Sequence, residues 1–400
     1  MKYGMRLVPG ILLVLLWLLL LYPPAAAAAA AGEDPSPDGQ QQVTAGGQVD
    51  TEEIEQYWQQ LLKEYGGFFP EGSLPSFKEM IMPGGDGFSL SAGLSGLFRF
   101  MWHEVLYNAK ILVTIVVLTV FSMLLETLQS AFEKGNVGKV AFYICYMVLI
   151  ILAINSFHVA IDYAARAIEG MIDFMMAMVP LLFTLLASLG NVVTVSVTHP
   201  LVVFMVHTVG TVVHVVVFPL IFFSAVLHIV SSMNEKYRLS RLADMLRTVA
   251  MGLLGVLLTV FLGVISVKGI AGSVADGVTL KTAKYLTGSF VPVVGKVFSE
   301  ATDTVLSASI LVKNAVGIVG VVIILFLCAF PAIKILALAL IYNFTAAVMQ
   351  PLGDTPIVAC LETIGKSMLY VFAVLAAVGL MFFLAITIML TAGNVTLMMR

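Results

Sequence analysis

The segment VLSASILVKNAVGIVGVVIILFLCAFPAIKILALALIYNFTAAVM, residues 305–349, holds only two charged side chains, Lys313 and Lys334. A helix needs about 20 mostly apolar residues to cross a bilayer. The segment is long enough for two crossings, and Pro331 divides it. It reads as one span over 305–330 and a second over 332–349, with Pro331 and Lys334 as the interruption. Working outward, the same test selects 108–128, 138–157, 171–190, 200–231, 248–268 and 368–392. The fold class that follows is all-α: a polytopic transmembrane helix bundle over residues 108–400.

Composition points the same way. Of the 400 residues, 60% are hydrophobic and 11% charged, where a soluble domain has about 45–50% and ~25%. Too little polar surface remains to cover a water-soluble particle, which excludes a cytosolic enzyme and a disordered regulator. A net charge of −3 lacks the basic footprint of a nucleic-acid binder. The charge is unevenly spread. Residues 1–31 carry +2, residues 32–107 carry −9, and residues 108–400 carry +4. The cysteines, Cys145, Cys328 and Cys360, form no CxxC pair and read as small buried side chains.

Residues 1–31 have the plan of a cleavable signal peptide: Lys2 and Arg6, an apolar run from Ile11 to Tyr22, then the small residues Ala25–Ala31. Cleavage would leave residues 32–107 outside the cytoplasm, an acidic segment with short amphipathic helices. In it Ile54, Trp58, Leu61, Leu62 and Tyr65 recur at helical spacing. Asp50 and Glu53 resemble a capping box, and Gly66–Gly67 ends the run. Such a helix has no core of its own and must dock on a partner or on the membrane face. Leu90, Leu94, Leu97, Met101 and Trp102 make an interfacial run that leads into the bilayer.

Eight simple crossings would put the most basic loop, with Lys236, Arg238, Arg241 and Arg247, outside. Basic loops favour the cytoplasm. The conflict disappears if 171–190 is re-entrant, with Asp173 near its start and Pro180 at its middle. About seven spans then remain, six to eight being compatible. Lys134, Lys139, the basic loop, Lys334 and Arg400 fall inside, and 269–304 forms an outer loop.

The catalytic motifs are incomplete. His103–Glu104 lacks the second histidine of a zinc protease, since Tyr107 stands in its place. Gly93–Leu94–Ser95–Gly96 resembles the serine motif of rhomboid-type proteases, but it precedes the first span. Gly353–Asp354 has Pro351 where the aspartyl-protease motif needs glycine. Gly295–Lys296 has the wrong spacing for a phosphate loop. No enzyme activity and no cofactor are expected. His207, His214 and His228 share a helix face, a polar seam turned toward other helices. Gly252, Gly255, Thr259 and Gly263, and separately Gly317 and Gly320, are small-residue stripes for close helix packing.

Several long stretches resemble the stage III sporulation protein AE family. They are FVPVVGKVFSEATDTVLSA from Phe290, which contains Pro292, Gly295, Glu300 and Asp303; LVKNAVG from Leu311, with Lys313 and Asn314; CAFPAIK from Cys328, with Pro331 and Lys334; QPLGD from Gln350, with Pro351, Gly353 and Asp354; and TAGNVTLMMR at 391–400. The resemblance covers essentially the whole chain and implies a function that composition cannot supply. It implies a membrane subunit of a secretion-like channel complex between mother cell and forespore. That complex supports forespore development and late forespore gene expression. The expected partners are other stage III sporulation proteins, ring-forming and ATPase-like, together with membrane lipid, and the expected site is the mother-cell membrane around the forespore. The motif residues named above, Lys313, Asn314, Lys334 and Asp354 foremost, are candidates for a polar path. Lys236, Arg238, Arg241 and Arg247 are candidates for cytoplasmic docking. The alternative is a stand-alone secondary transporter of a small solute.

Overall fold

The computed structural model describes residues 51–70, 74–81, 90–131, 136–233, 239–290, 294–352 and 355–398. Among them there is no strand. Two short helices, α1 (Glu52–Tyr65) and α2 (Phe77–Ile81), precede α3 (Leu90–Tyr107) and α4 (Ala109–Ala131). Then come α5 (Asn136–Ser188), α6 (Val192–Val212), a π-helical turn (Val213–Val217) and α7 (Phe218–Met233). The chain ends with α8 (Ser240–Phe290), α9 (Val294–Met349) and α10 (Pro356–Met398). All of them lie in one compact unit, Thr51–Arg400.

Among the described residues five stretches are long and apolar enough to cross a membrane: Tyr143–Ser188, Val192–Ser232, Ser240–Gly269, Ser309–Met349 and Pro356–Thr391. A sixth forms if Ser91–Tyr107 and Ala109–Ser122, bent by 42°, count together. The difference from seven has a specific cause: runs that read as separate spans are fused. Residues 138–157 and 171–190 both belong to α5, which runs through Pro180; residues 305–330 and 332–349 both belong to α9, which runs through Pro331. The re-entrant break at Pro180 is not formed. Lipid offers no substitute partner for a freed backbone group, so a membrane helix absorbs one proline rather than open. Residues 269–304 are likewise no simple loop, because α8 extends to Phe290 and α9 starts at Val294.

Fusion changes which ends of the helices share a face of the bundle. The Tyr146 hydroxyl lies 3.3 Å from Ser232 Oγ and donates to the Pro356 carbonyl at 3.4 Å. The starts of the first and last long spans therefore meet the end of the second, beside the basic 234–247 segment. At the far end Lys313 Nζ donates to the Leu390 carbonyl at 2.9 Å. Helix α10 thus carries the chain away from the basic segment; Arg400 lies outside the described residues.

The core is a seam among α5, α9 and α10, filled by fully buried Met171, Phe174, Met178, Ile335, Tyr342, Met368, Val371, Phe382 and Ile386. The small-residue stripes divide. A Cβ at Gly317 or Gly320 would run into Leu390 or Met178 respectively, so this pair does serve close packing. Gly252, Gly255 and Gly263 meet nothing within 4 Å and, with Thr259, lie on the outside. The tightest backbone approach was not anticipated: a Cβ at Gly272 would stand 2.9 Å from the Thr194 Cα. Large apolar side chains face outward on α4 to α6, among them Val117, Phe121, Tyr143, Ile151 and Phe204, as a lipid-facing surface requires.

Gly272→Ala is expected to destabilise the detergent-solubilised protein by about 1–3 kcal/mol, because the backbone of α6 has to move. Gly252→Ala, in open space, is expected to be neutral or to stabilise by up to about 1 kcal/mol. Thermal unfolding of the two variants side by side checks this, and equal shifts would contradict the close approach at Gly272.

Candidate functional site: a charged face on a membrane-length helix

Helix α5 carries Asn155, His158, Asp162, Arg166, Glu169 and Asp173 at successive spacings of three or four residues. That spacing puts all six on one face, and every one is exposed. The face runs about 27 Å along the axis at 1.5 Å per residue, close to the thickness of a bilayer core. Behind it Ala160, Ala164, Ile168, Met171 and Met175 are buried against the bundle. Arg166 pairs with Asp162 at 2.7 Å, both side chains remaining more than half exposed. Helix α5 is therefore amphipathic at its middle, with the charged side turned away from its own bundle.

Beside the lower end of this face sits α1. Of its predicted apolar face, Ile54, Trp58, Leu61 and Tyr65 are buried and Leu62 is half-buried, but the surface that receives it is the chain's own bundle. Tyr65 stacks on Phe330 with centroids 3.8 Å apart, Trp58 stacks on Phe326, and Tyr57 meets Phe174 edge-on. Trp58 Nε1 donates to the Pro75 carbonyl at 3.3 Å. The cap residue is Thr51, and it makes no side-chain cap bond. With this face pinned down, Glu53, Gln56 and Gln60 look across a cavity of about 560 Å³ to Asp173 on α5. Burial, then the nearby Asp173 and Glu53 carboxylates, raise the Tyr57 hydroxyl above its usual pKa. Burial and the Glu64 side chain do the same for Tyr65.

The sequence candidates for a polar path do not converge. Lys313 is fully buried and ties α9 to α10 through the Leu390 carbonyl. Lys334 stands 21 residues further along α9, about 31 Å away, with its ammonium 5.3–5.9 Å from the rings of Tyr65, Phe100 and Tyr163. It braces the α1 dock as a cation–π contact. Asn314 and Pro331 lie half-buried within α9, and Pro351 is exposed in the 3-10 turn Gln350–Leu352. Gly295, Glu300 and Asp303 belong to the first turns of α9. Pro292, Gly353, Asp354, Lys236 and Arg238 lie outside the described residues. Arg241 is exposed in the first turn of α8, whereas Arg247 lies over the Tyr370 ring at 4.6 Å, engaged within the chain. Glu362 and Lys366 form an i,i+4 pair on α10 at 2.5 Å.

The histidine seam is not turned inward. His207 is exposed, His214 Nδ1 lies 3.1 Å from the Gly210 carbonyl, and His228 pairs with Asp244 at 3.0 Å. The π turn at Val213–Val217 accommodates one residue more than an α turn, so His228 loses the phase that regular spacing gives it.

Sequence reasoning also missed Asp276. Helix α6 starts after Gly190, which has φ 87°, and Asn191, whose side chain makes no cap bond. The cap comes instead from α8. Asp276 Oδ1 accepts the Val193 N–H at 2.9 Å; Oδ2 accepts the Thr194 N–H at 2.9 Å and its hydroxyl at 2.6 Å. A carboxylate only 2% exposed is held by the open amides and positive end of another helix. The close approach at Gly272 brings the two helices near enough for this bond.

The family model for stage III sporulation protein AE matches residues 73–393. The chain belongs to the stage III sporulation protein AE family. It is 51% identical over 352 residues to the stage III sporulation protein AE of Bacillus subtilis (strain 168), with 88% of each chain covered. No solved structure matches. The family's match begins beyond α1 and takes in the whole charged face of α5 and the Asp276 cap.

Replacing Asp276 by Ala leaves the buried start of α6 without its acceptor and is expected to cost about 1–3 kcal/mol, with Asp276→Asn costing less. Detergent melting curves distinguish the two, and an unchanged Asp276→Ala curve would remove the cap. The raised pKa of Tyr65 and Tyr57 sets a pH window. Undocked tyrosine ionises near 10 while the docked hydroxyl keeps its proton, so docking is complete below about pH 10 and weakens as pH rises above it. Trp58 fluorescence in a Trp17→Phe, Trp102→Phe chain reports the release; an emission unchanged up to pH 11.5 would contradict it.

Proposed function

We propose that this chain is a membrane-embedded, non-enzymatic wall subunit of a secretion-like channel complex that links mother cell and forespore and supports forespore development and late forespore gene expression. The observation that carries the reading is the exposed charged face of α5. A charged side chain is expensive against hydrocarbon and almost always faces protein or water in membrane helices. A span whose bundle side is apolar and whose outer side carries Asp162, Arg166, Glu169 and Asp173 is therefore incomplete alone. Family membership supplies the sporulation context. A stand-alone carrier would need a converged polar path, whereas Lys313 and Lys334 each have a local packing role.

The assembly lies in the mother-cell membrane, with α1 on the outer side where ring-forming partners meet it, and with the 234–247 segment toward an ATPase-like partner. Isolation of C-terminally tagged full-length chain from sporulating cells in mild detergent, with crosslinks located by mass spectrometry, tests this. Other stage III proteins are expected in constant ratio to the chain, crosslinked near α1 and near Arg241. Recovery of the chain by itself would overturn the reading.

A further inference from the structure

We propose that the charged face of α5 lines a water-filled passage at membrane depth, with the cavity between α1 and α5 as its mouth, and that the passage favours small cations over anions. The inference rests on the channel-complex reading and names what its wall admits.

Water is the occupant that fits this face. Lipid is excluded by the cost of ionised side chains against hydrocarbon. Direct packing of a second copy is disfavoured by geometry. Copies in one membrane are related by an axis along its normal, which would set Glu169 against Glu169 and Asp173 against Asp173. Like charges brought together across a dry interface cost several kcal/mol, and a layer of water removes that cost.

The space between α1 and α5 is open to solvent along one side. At about 560 Å³ it is many times the ~30 Å³ share of one water molecule, and its polar lining comes from two helices, Glu53, Gln56 and Gln60 on α1 and Asp173 on α5. The aromatic stack of Trp58 and Tyr65 fixes α1 so that its polar side faces this space. The same contacts seat α1 on Phe326 and Phe330 of α9 and on Phe174 of α5, residues of the stretches Ser309–Met349 and Tyr143–Ser188.

The sign of the selectivity follows from the charges that remain. Arg166 is matched by Asp162 at 2.7 Å. Glu169, Asp173 and Glu53 are left to set the potential along the face and its mouth. Low-dielectric walls focus such a potential and concentrate counter-ions.

The test uses the full-length chain in membranes from sporulating cells, with Cys145, Cys328 and Cys360 replaced by Ser. Single cysteines are placed by Glu169→Cys and Asp173→Cys, with Ile151→Cys as an outward apolar control on the same helix. Each is treated with membrane-impermeant thiosulfonates of equal size, one cationic and one anionic. The face positions are expected to react with the cationic reagent about tenfold faster than with the anionic one, while Ile151→Cys stays unreactive. In parallel, a bimane on Leu325→Cys, outward-facing beside Phe326, is expected to be quenched by lipids brominated in their chains.

Face positions as unreactive as Ile151→Cys would overturn the passage in favour of a dry contact with a partner. Equal rates for the two reagents would overturn the cation preference. An unquenched Leu325 label would place the face outside the bilayer and overturn the passage at membrane depth. Passage and assembly are separable in the outcome. An unreactive face in an intact complex removes the passage and keeps the assembly; a reactive face on a chain recovered alone removes the assembly and keeps the passage.

Discussion

Inside a bilayer a backbone N–H or C=O has no solvent to turn to, so it must be satisfied within its own helix. This constraint shapes the rest of the molecule. It carries α5 through Pro180 and α9 through Pro331 without a break, and makes each a rod of more than 50 residues. Because the rods are continuous, their two ends sit on opposite faces of the bundle. Continuity therefore decides which loops are neighbours, and it puts the end of α10 opposite the basic segment.

Where a helix does end inside the protein, the same constraint calls in a partner from elsewhere. The open amides at the start of α6 are met by Asp276 of α8, and Lys313 of α9 is met by the Leu390 carbonyl of α10. Both anchors are ionisable groups inside an apolar bundle, which favours them only with hydrogen-bonded partners in place. Both also depend on close approach, at Gly272 beside Thr194 and at Gly317 beside Leu390. Charged groups in the last third of the chain thus fasten helices together, while the charges available for function sit on α5.

Helix α5 and α1 form the functional surface jointly. The aromatic face of α1 needs a hydrophobic floor and finds it in Phe326, Phe330 and Phe174. Once seated, it directs its glutamates and glutamines toward Asp173. The dock is braced by Lys334, whose ammonium lies among three rings, so a residue that reads as a break in a span works as the support of an N-terminal helix.

Residue by residue, the sequence settled whatever depends on composition and local period. The all-helical membrane class, the apolar face of α1, the Glu362–Lys366 pair and the packing role of Gly317 and Gly320 are all legible in it, because hydropathy and 3.6-residue spacing are properties of the chain itself. The spacing of His158, Asp162, Arg166, Glu169 and Asp173 was also there to be read, though a span boundary drawn at 157–171 hid it. Tertiary structure decided the rest. Whether a proline breaks a helix depends on what surrounds the freed carbonyl. Whether a glycine stripe packs or stays open, as at Gly252 to Gly263, depends on a neighbour that no local pattern names. The Asp276 cap joins residues more than 80 positions apart, and only the folded bundle brings those helices into contact.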